Sequence, residues 1–97
     1  MSDTDIEIIR EDGETKGRYI ARIPGKPDAE LTYSKAGPSR IIIDHTGVPD
    51  ALRGLGVGKV LVERAVKDAR EAGIKVLPLC PFAKAMIEKT PEWQDVL

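Results

Sequence analysis

The chain has 97 residues, 41% of them hydrophobic and 32% charged, with 15 basic residues against 16 acidic ones and a formal charge of −1. These values exclude a disordered chain and leave no broad basic footprint for nucleic acid. The length suits one small domain over residues 1–97, with little room for a separate substrate domain.

No apolar run approaches the roughly 18 residues of a membrane span, so no membrane partner is expected. Met1 to Asp5 are polar and acidic, unlike a secretory or transit signal. Cys80 and His45 each stand alone of their kind, which rules out an internal disulfide and a Cys/His zinc site within one chain. A reducing, cytoplasmic setting is the expectation. Composition does not fix the oligomeric state.

In chain order, Ile6 to Arg10 leads into Asp12-Gly13, a strong hairpin signal. The return strand is predicted over Lys16 to Ile23, with Tyr19 and Ala21 on one face and Ile20 on the other. Pro24-Gly25-Lys26-Pro27 breaks the pattern. Ala29 to Tyr33 alternates as a half-buried strand should. After the Ala36-Gly37-Pro38 turn, Ile41-Ile42-Ile43 is β-branched throughout and suits a central strand covered on both faces. The first half thus reads as an antiparallel meander of four strands.

The period changes after Pro49. Leu61, Val62, Ala65, Val66, Ala69 and Ala72 recur at helical spacing within Val60 to Ala72, and Gly73 is placed as the stop. Ile74 to Leu77 is a short strand, expected to lie parallel to Ile41–Ile43 through a right-handed crossover. A second helix is predicted from Phe82 to Lys89 with Pro81 at its first turn, closed off by Thr90-Pro91-Glu92-Trp93. Trp93, Val96 and Leu97 either pack the tail on the body or face a partner. The fold class is α/β (α+β) with a mixed sheet.

Between strand and helix lies Arg53-Gly54-Leu55-Gly56-Val57-Gly58-Lys59. Glycines there permit positive φ and close approach of the backbone to a ligand. A following helix offers unpaired amides and the positive end of its dipole to an anion. Spacing alone leaves two readings open, a phosphate cradle and a bare tight turn. Two nucleotide loops fail. A nucleoside-triphosphate loop needs Gly where Arg53 stands and Ser or Thr where Val60 stands. The dinucleotide fingerprint needs G-x-G-x-x-G, whereas Gly54, Gly56 and Gly58 are spaced G-x-G-x-G.

Arg53-x-x-Gly56-x-Gly58 resembles the [Arg/Gln]-x-x-Gly-x-[Gly/Ala] loop of GNAT-type N-acetyltransferases, which cradles the pyrophosphate of acetyl-coenzyme A. Asp44 to Pro49 before the loop and Leu77 to Phe82 after the helix are similar to the small single-domain GNAT-like acetyltransferases. The resemblance runs from Glu30 to Leu97. It implies a mixed sheet that splays between its fourth and fifth strands, with the acetyl-pantetheine arm in the gap. It also implies that backbone amides from Leu55 to Lys59 hold the pyrophosphate, with Arg53 opening the motif and Lys59 adding charge. The helices that build the acceptor site in larger relatives have no counterpart here, which leaves the acceptor open.

His45 and Cys80 are expected at the carboxyl edge of two adjacent parallel strands, where ligands of open α/β sheets bind. Read from the residues alone, each is more simply structural, a packed thiol and a strand-end imidazole. In the family resembled, the matching residues lie at the active site. His45 would then be a general base toward the acceptor amine. Cys80 would be a nucleophile taking the acetyl group as a thioester, or a lining residue while the amine attacks directly. Direct transfer is preferred, since it needs only orientation and oxyanion stabilisation. Asp44, Asp50 and Tyr33 are weaker candidates, and Lys84 and Lys89 suit a solvated helix face.

The resulting expectation is an acetyl-CoA-dependent N-acetyltransferase acting on a primary amine, either a small molecule or a protein lysine. The alternative is a non-catalytic module that binds CoA or acyl-CoA.

Overall fold

A computed structural model describes residues 6–52 and 54–97. Five strands form one sheet in sequential order: β1 (Glu7–Asp12), β2 (Lys16–Arg22), β3 (Ala29–Lys35), β4 (Arg40–Gly47) and β5 (Lys75–Pro78). The first four pair antiparallel and β5 pairs parallel to β4, as the meander and crossover pattern predicts. Helix α1 (Val57–Ala72) connects β4 to β5, α2 (Pro81–Glu88) follows, and a 3-10 segment, Pro91–Val96, closes the chain.

All the helical elements pack on one face of the sheet. Tyr19, Leu31, Tyr33, Ile41, Ile43 and Val76 point into that layer and meet Leu61, Val62, Ala65, Val66 and Ala69 of α1. The Ile41–Ile43 run is therefore not covered on both faces. Ile41 and Ile43 are buried, while Ile42 is half-buried and outside the main core cluster. Its one-sided burial follows from its antiparallel neighbour β3, which carries polar side chains outward at Glu30, Thr32 and Ser34. The predicted helix face is otherwise right, except that Ala72 is exposed. Gly73 ends α1 at φ 71°, its amide bonded to the carbonyl of Arg70 while the Ile74 amide bonds that of Ala69. That is the left-handed C-terminal stop for which glycine carries no Cβ penalty.

The tail packs on the body. Trp93 and Val96 are buried, whereas Leu97 is 49% exposed. Arg70 holds Asp95 through two hydrogen bonds of 2.7 and 2.8 Å and reaches the Glu92 carbonyl. At the other end of the sheet, the Tyr33 ring passes beside Gly17 of β2 and its hydroxyl donates to Asp12 of β1. Lys35 also donates to Asp12, at 2.8 Å, and the Tyr19 hydroxyl donates to Asp68 of α1 at 2.7 Å. Burial, and then the Asp68 hydrogen bond, push the Tyr19 phenol well above its ordinary value. This network pins the hairpin to α1 and explains Tyr33 as a packing and bonding residue.

Candidate functional site

Helix α1 begins three residues earlier than its apolar period predicts. Gly56 is its N-cap, in the left-handed region at φ 72°, and Val57, Gly58 and Lys59 form the first turn. The early start has a packing cause: Val57 is buried against the core, so the helix is already anchored there. The amides of that first turn have no acceptor within the helix. The first intrahelical bond near the cap runs from the Val60 amide to the Gly56 carbonyl. No acidic residue stands in the first turn, which suits an anion there.

The three glycines do different jobs. Gly54 and Gly56 adopt positive φ, and a Cβ at either would meet nothing within 4 Å. Their Cβ positions face open space, so backbone conformation explains these two. Gly58 has an ordinary φ, but a Cβ there would come 2.5 and 2.8 Å from Cζ and Cε2 of Phe82. Its place is fixed by packing of α1 against α2. Arg53, the first residue of the sequence motif, lies outside the described residues.

On the strand side, the β4–β5 ladder ends at Ile43 opposite Pro78. The amides of Leu79 and Cys80 both donate to the Ile43 carbonyl at 3.1 Å, and the chain then turns into α2. Strand β4 continues to Gly47, so among the described residues no strand pairs with its β5-side edge beyond Ile43. A cleft of about 570 Å³ opens there, lined by Thr46, Val48, Leu52, Gly54, Gly56, Val57, Gly58, Lys59, Phe82 and Met86. A larger concavity of about 840 Å³ lies on the open face of the sheet among hairpin residues such as Glu11, Lys16 and Arg18. It has no helix terminus in its lining, so the smaller cleft is the better ligand site.

A bulge in β4 decides where the two sequence candidates go. Tyr33 pairs with Ile43, but Thr32 pairs with His45, so Asp44 is an extra residue in the ladder. Asp44 accepts a 2.6 Å hydrogen bond from the Ser34 hydroxyl on the open face. His45 is exposed and stands above Gly47, whose Cβ would lie 3.3 Å from its Nε2. Thr46 then faces the helices opposite Leu31. Without the bulge, strict alternation from Ile41 and Ile43 would turn His45 inward beside Cys80. The structure does not bring the two together: they share one end of the sheet but lie on opposite faces.

Cys80 is the N-cap of α2, is 6% exposed, and has its Sγ 3.5 Å from Thr46 Oγ1. Burial alone would raise the thiol. The Ala83 amide opposes it, followed by the Thr46 hydroxyl and the Phe82 and Thr46 amides, and the net effect holds the thiol below its ordinary value. The sulfur makes no capping hydrogen bond to the α2 amides, so Phe82 and Ala83 act on it at longer range than the Thr46 hydroxyl does. Cys80 is thus set behind Thr46 rather than in the wall of the cleft.

Several lining residues escape a reading of motifs. Phe82 and Met86 are large apolar residues one helical turn apart on the less buried side of α2, a signal present in the spacing. Thr46 carries no such signal, because its inward orientation depends on the bulge. Of the weaker candidates, Asp50 opens the 3-10 turn Asp50–Leu52, and Lys84 and Lys89 are exposed.

The donor set can be tested against an anionic, arm-bearing ligand on these observations. First-turn amides without an acceptor inside the helix, open space over Gly54 and Gly56, and Lys59 at one end fit a pyrophosphate. The unpaired β4 edge and apolar lining fit an amide-containing arm. Comparison with known proteins gives a concordant picture. A family model described as GCN5-related N-acetyl-transferase matches residues 18–96. The solution structure of a GCN5-like protein from Staphylococcus aureus superposes with a TM-score of 0.69 at 41% identity, covering 99% of this chain and 89% of that one. Protein NATD1 of Xenopus tropicalis is 32% identical over 85 residues, 86% of this chain and 78% of its own. The human protein of the same name is 31% identical over 75 residues, 76% of this chain and 66% of its own.

Proposed function

Since the chain belongs to the GCN5-related N-acetyltransferase family, we propose that it is an acetyl-CoA-dependent enzyme that acetylates a primary amine. One observation carries the reading: an open helix N-terminus and an unpaired strand edge face the same cleft. The amides of Val57, Gly58 and Lys59 would hold the pyrophosphate, with Lys59 adding charge. The free β4 edge near Thr46 would pair with the amides of the pantetheine arm. Bound there, acetyl-CoA supplies an acyl group activated as a thioester.

The remaining roles belong to the sheet end. His45, on the open face, would accept the proton of an amine arriving from that side. Cys80, behind Thr46 on the helix side, would support the acyl end of the cleft through that threonine without lining it. Its burial favours direct attack by the amine over an acetyl-cysteine route. The acceptor is a small amine or a protein lysine, and a cytoplasmic setting suits both. The separation of His45 from Cys80 supports a second reading, a CoA-binding module without turnover.

Release of free CoA across a panel of amines tests the proposal. Turnover should fall on His45→Ala, and no acetyl adduct should accumulate on Cys80. A chased adduct at a competent rate would reverse the preference for direct transfer. Failure of millimolar CoA to raise the melting temperature would remove both readings, because a ligand that binds only the folded state must stabilise it.

A further inference from the structure

Phe82 has an unusual setting for its size. The residue is 42% exposed, yet the tip of its ring rests on Gly58, where even a methyl group would collide with it. The ring is therefore seated laterally by the first turn of α1 and left open toward the cleft that it lines. Along the chain, Phe82 stands two residues after Cys80, whose sulfur adjoins Thr46. It lines the same cleft as the glycine loop with Lys59 and as Thr46, beside which the Cys80 sulfur lies. Met86, Val48 and Leu52 complete an apolar middle.

We propose that Phe82 is a positioning residue for the acyl donor, its ring forming the wall on which the aliphatic arm of CoA packs between phosphate and thioester. The proposal rests on the reading that this cleft binds CoA. An arm held at the glycine end by its phosphates and at the Thr46 end by its thioester must cross the ring. The contact then sets how far the thioester reaches toward Thr46. The exposed apolar area of the ring is the area that the arm would cover.

Isothermal titration calorimetry with three probes tests it: CoA, 4′-phosphopantetheine and adenosine 3′,5′-bisphosphate. Phe82→Ala should weaken CoA and 4′-phosphopantetheine alike, by about tenfold, and leave the bisphosphate unchanged. Phe82→Gln retains a long side chain and a good helix former while removing the aromatic face, and it repeats the test if the alanine variant is unstable. CoA binding by these variants at wild-type affinity overturns the proposal while leaving the CoA reading intact. An equal loss for the bisphosphate also overturns it, because the ring would then be supporting the loop. Failure of the unaltered protein to bind CoA removes the reading and this proposal together.

Discussion

Gly58 offers a test that needs no ligand. Replacing it with alanine puts a Cβ 2.5 Å from Phe82 Cζ and 2.8 Å from Cε2. Ordinary carbon–carbon contacts lie at about 3.5–4.0 Å, so the ring tip must withdraw by about 1 Å. Two effects compete. Alanine is better than glycine by up to about 1 kcal/mol within a helix, and less so in a first turn. Overpacking costs about 1–3 kcal/mol, here at the low end because the ring is partly exposed and can swing. Gly58→Ala alone should destabilise by about 1 kcal/mol, a fall in melting temperature of about 4–8 °C for a chain of this size. In a Phe82→Ala background the collision is gone and the same change should stabilise by about 0.5 kcal/mol. The coupling, about 1.5 kcal/mol, is measurable by urea denaturation of the four proteins in a double-mutant cycle. An equal cost in both backgrounds would mean that Gly58 is required by something other than Phe82.

Three further outcomes follow from the same geometry. Gly17→Ala would drive a Cβ into the Tyr33 phenol and to 2.9 Å from the Glu11 carbonyl, and backbone cannot swing away. We expect about 3 kcal/mol of destabilisation by urea denaturation; a neutral result would refute the placement of the Tyr33 hydroxyl. The Asp12 carboxyl is held below its ordinary value first by the Lys35 ammonium and then by the Tyr33 hydroxyl. The unfolded chain therefore takes up this proton at higher pH. The associated stability is present above about pH 4 and is lost as pH falls through the folded value. Asp12→Asn should flatten that acid limb, and an unchanged pH slope would count against the pairing. For Cys80, the rate of alkylation by iodoacetamide should have its pH midpoint below that of an ordinary thiol, and Thr46→Val should move it upward. An unmoved midpoint would remove Thr46 from the thiolate's surroundings.

Much of the fold is legible in the sequence because local signals agree there. Asp12-Gly13 marks the hairpin, the alternation of Ala29, Leu31 and Tyr33 marks a one-sided strand, and Gly73 marks a left-handed stop. The helix start is less legible. Val57 belongs to the core, but the glycines around it mask the period until Leu61. The loop motif also conceals a division of labour. Its spacing makes Gly54, Gly56 and Gly58 look equivalent, yet two answer to backbone φ and one to an aromatic ring from a helix more than twenty residues on.

The site itself is half legible, and the reason is one residue. Cys80 and His45 can be assigned to one end of the sheet from strand order alone, since parallel neighbours share their carboxyl edge. Which face each takes depends on parity, and parity along β4 changes at Asp44. An extra residue in a ladder leaves no mark in a hydrophobic pattern that has already ended, as the Ile41–Ile43 run has. Once the bulge is present, Thr46 takes the inward place that His45 would otherwise hold, and the imidazole moves to the open face with Ser34 and Thr32. The consequence for chemistry is directional. A donor lying along the helix side of the β4 edge and a base on the open side would confine an acceptor to the sheet end between them. That makes the bulge, rather than either reactive side chain, the element that sets the angle of approach.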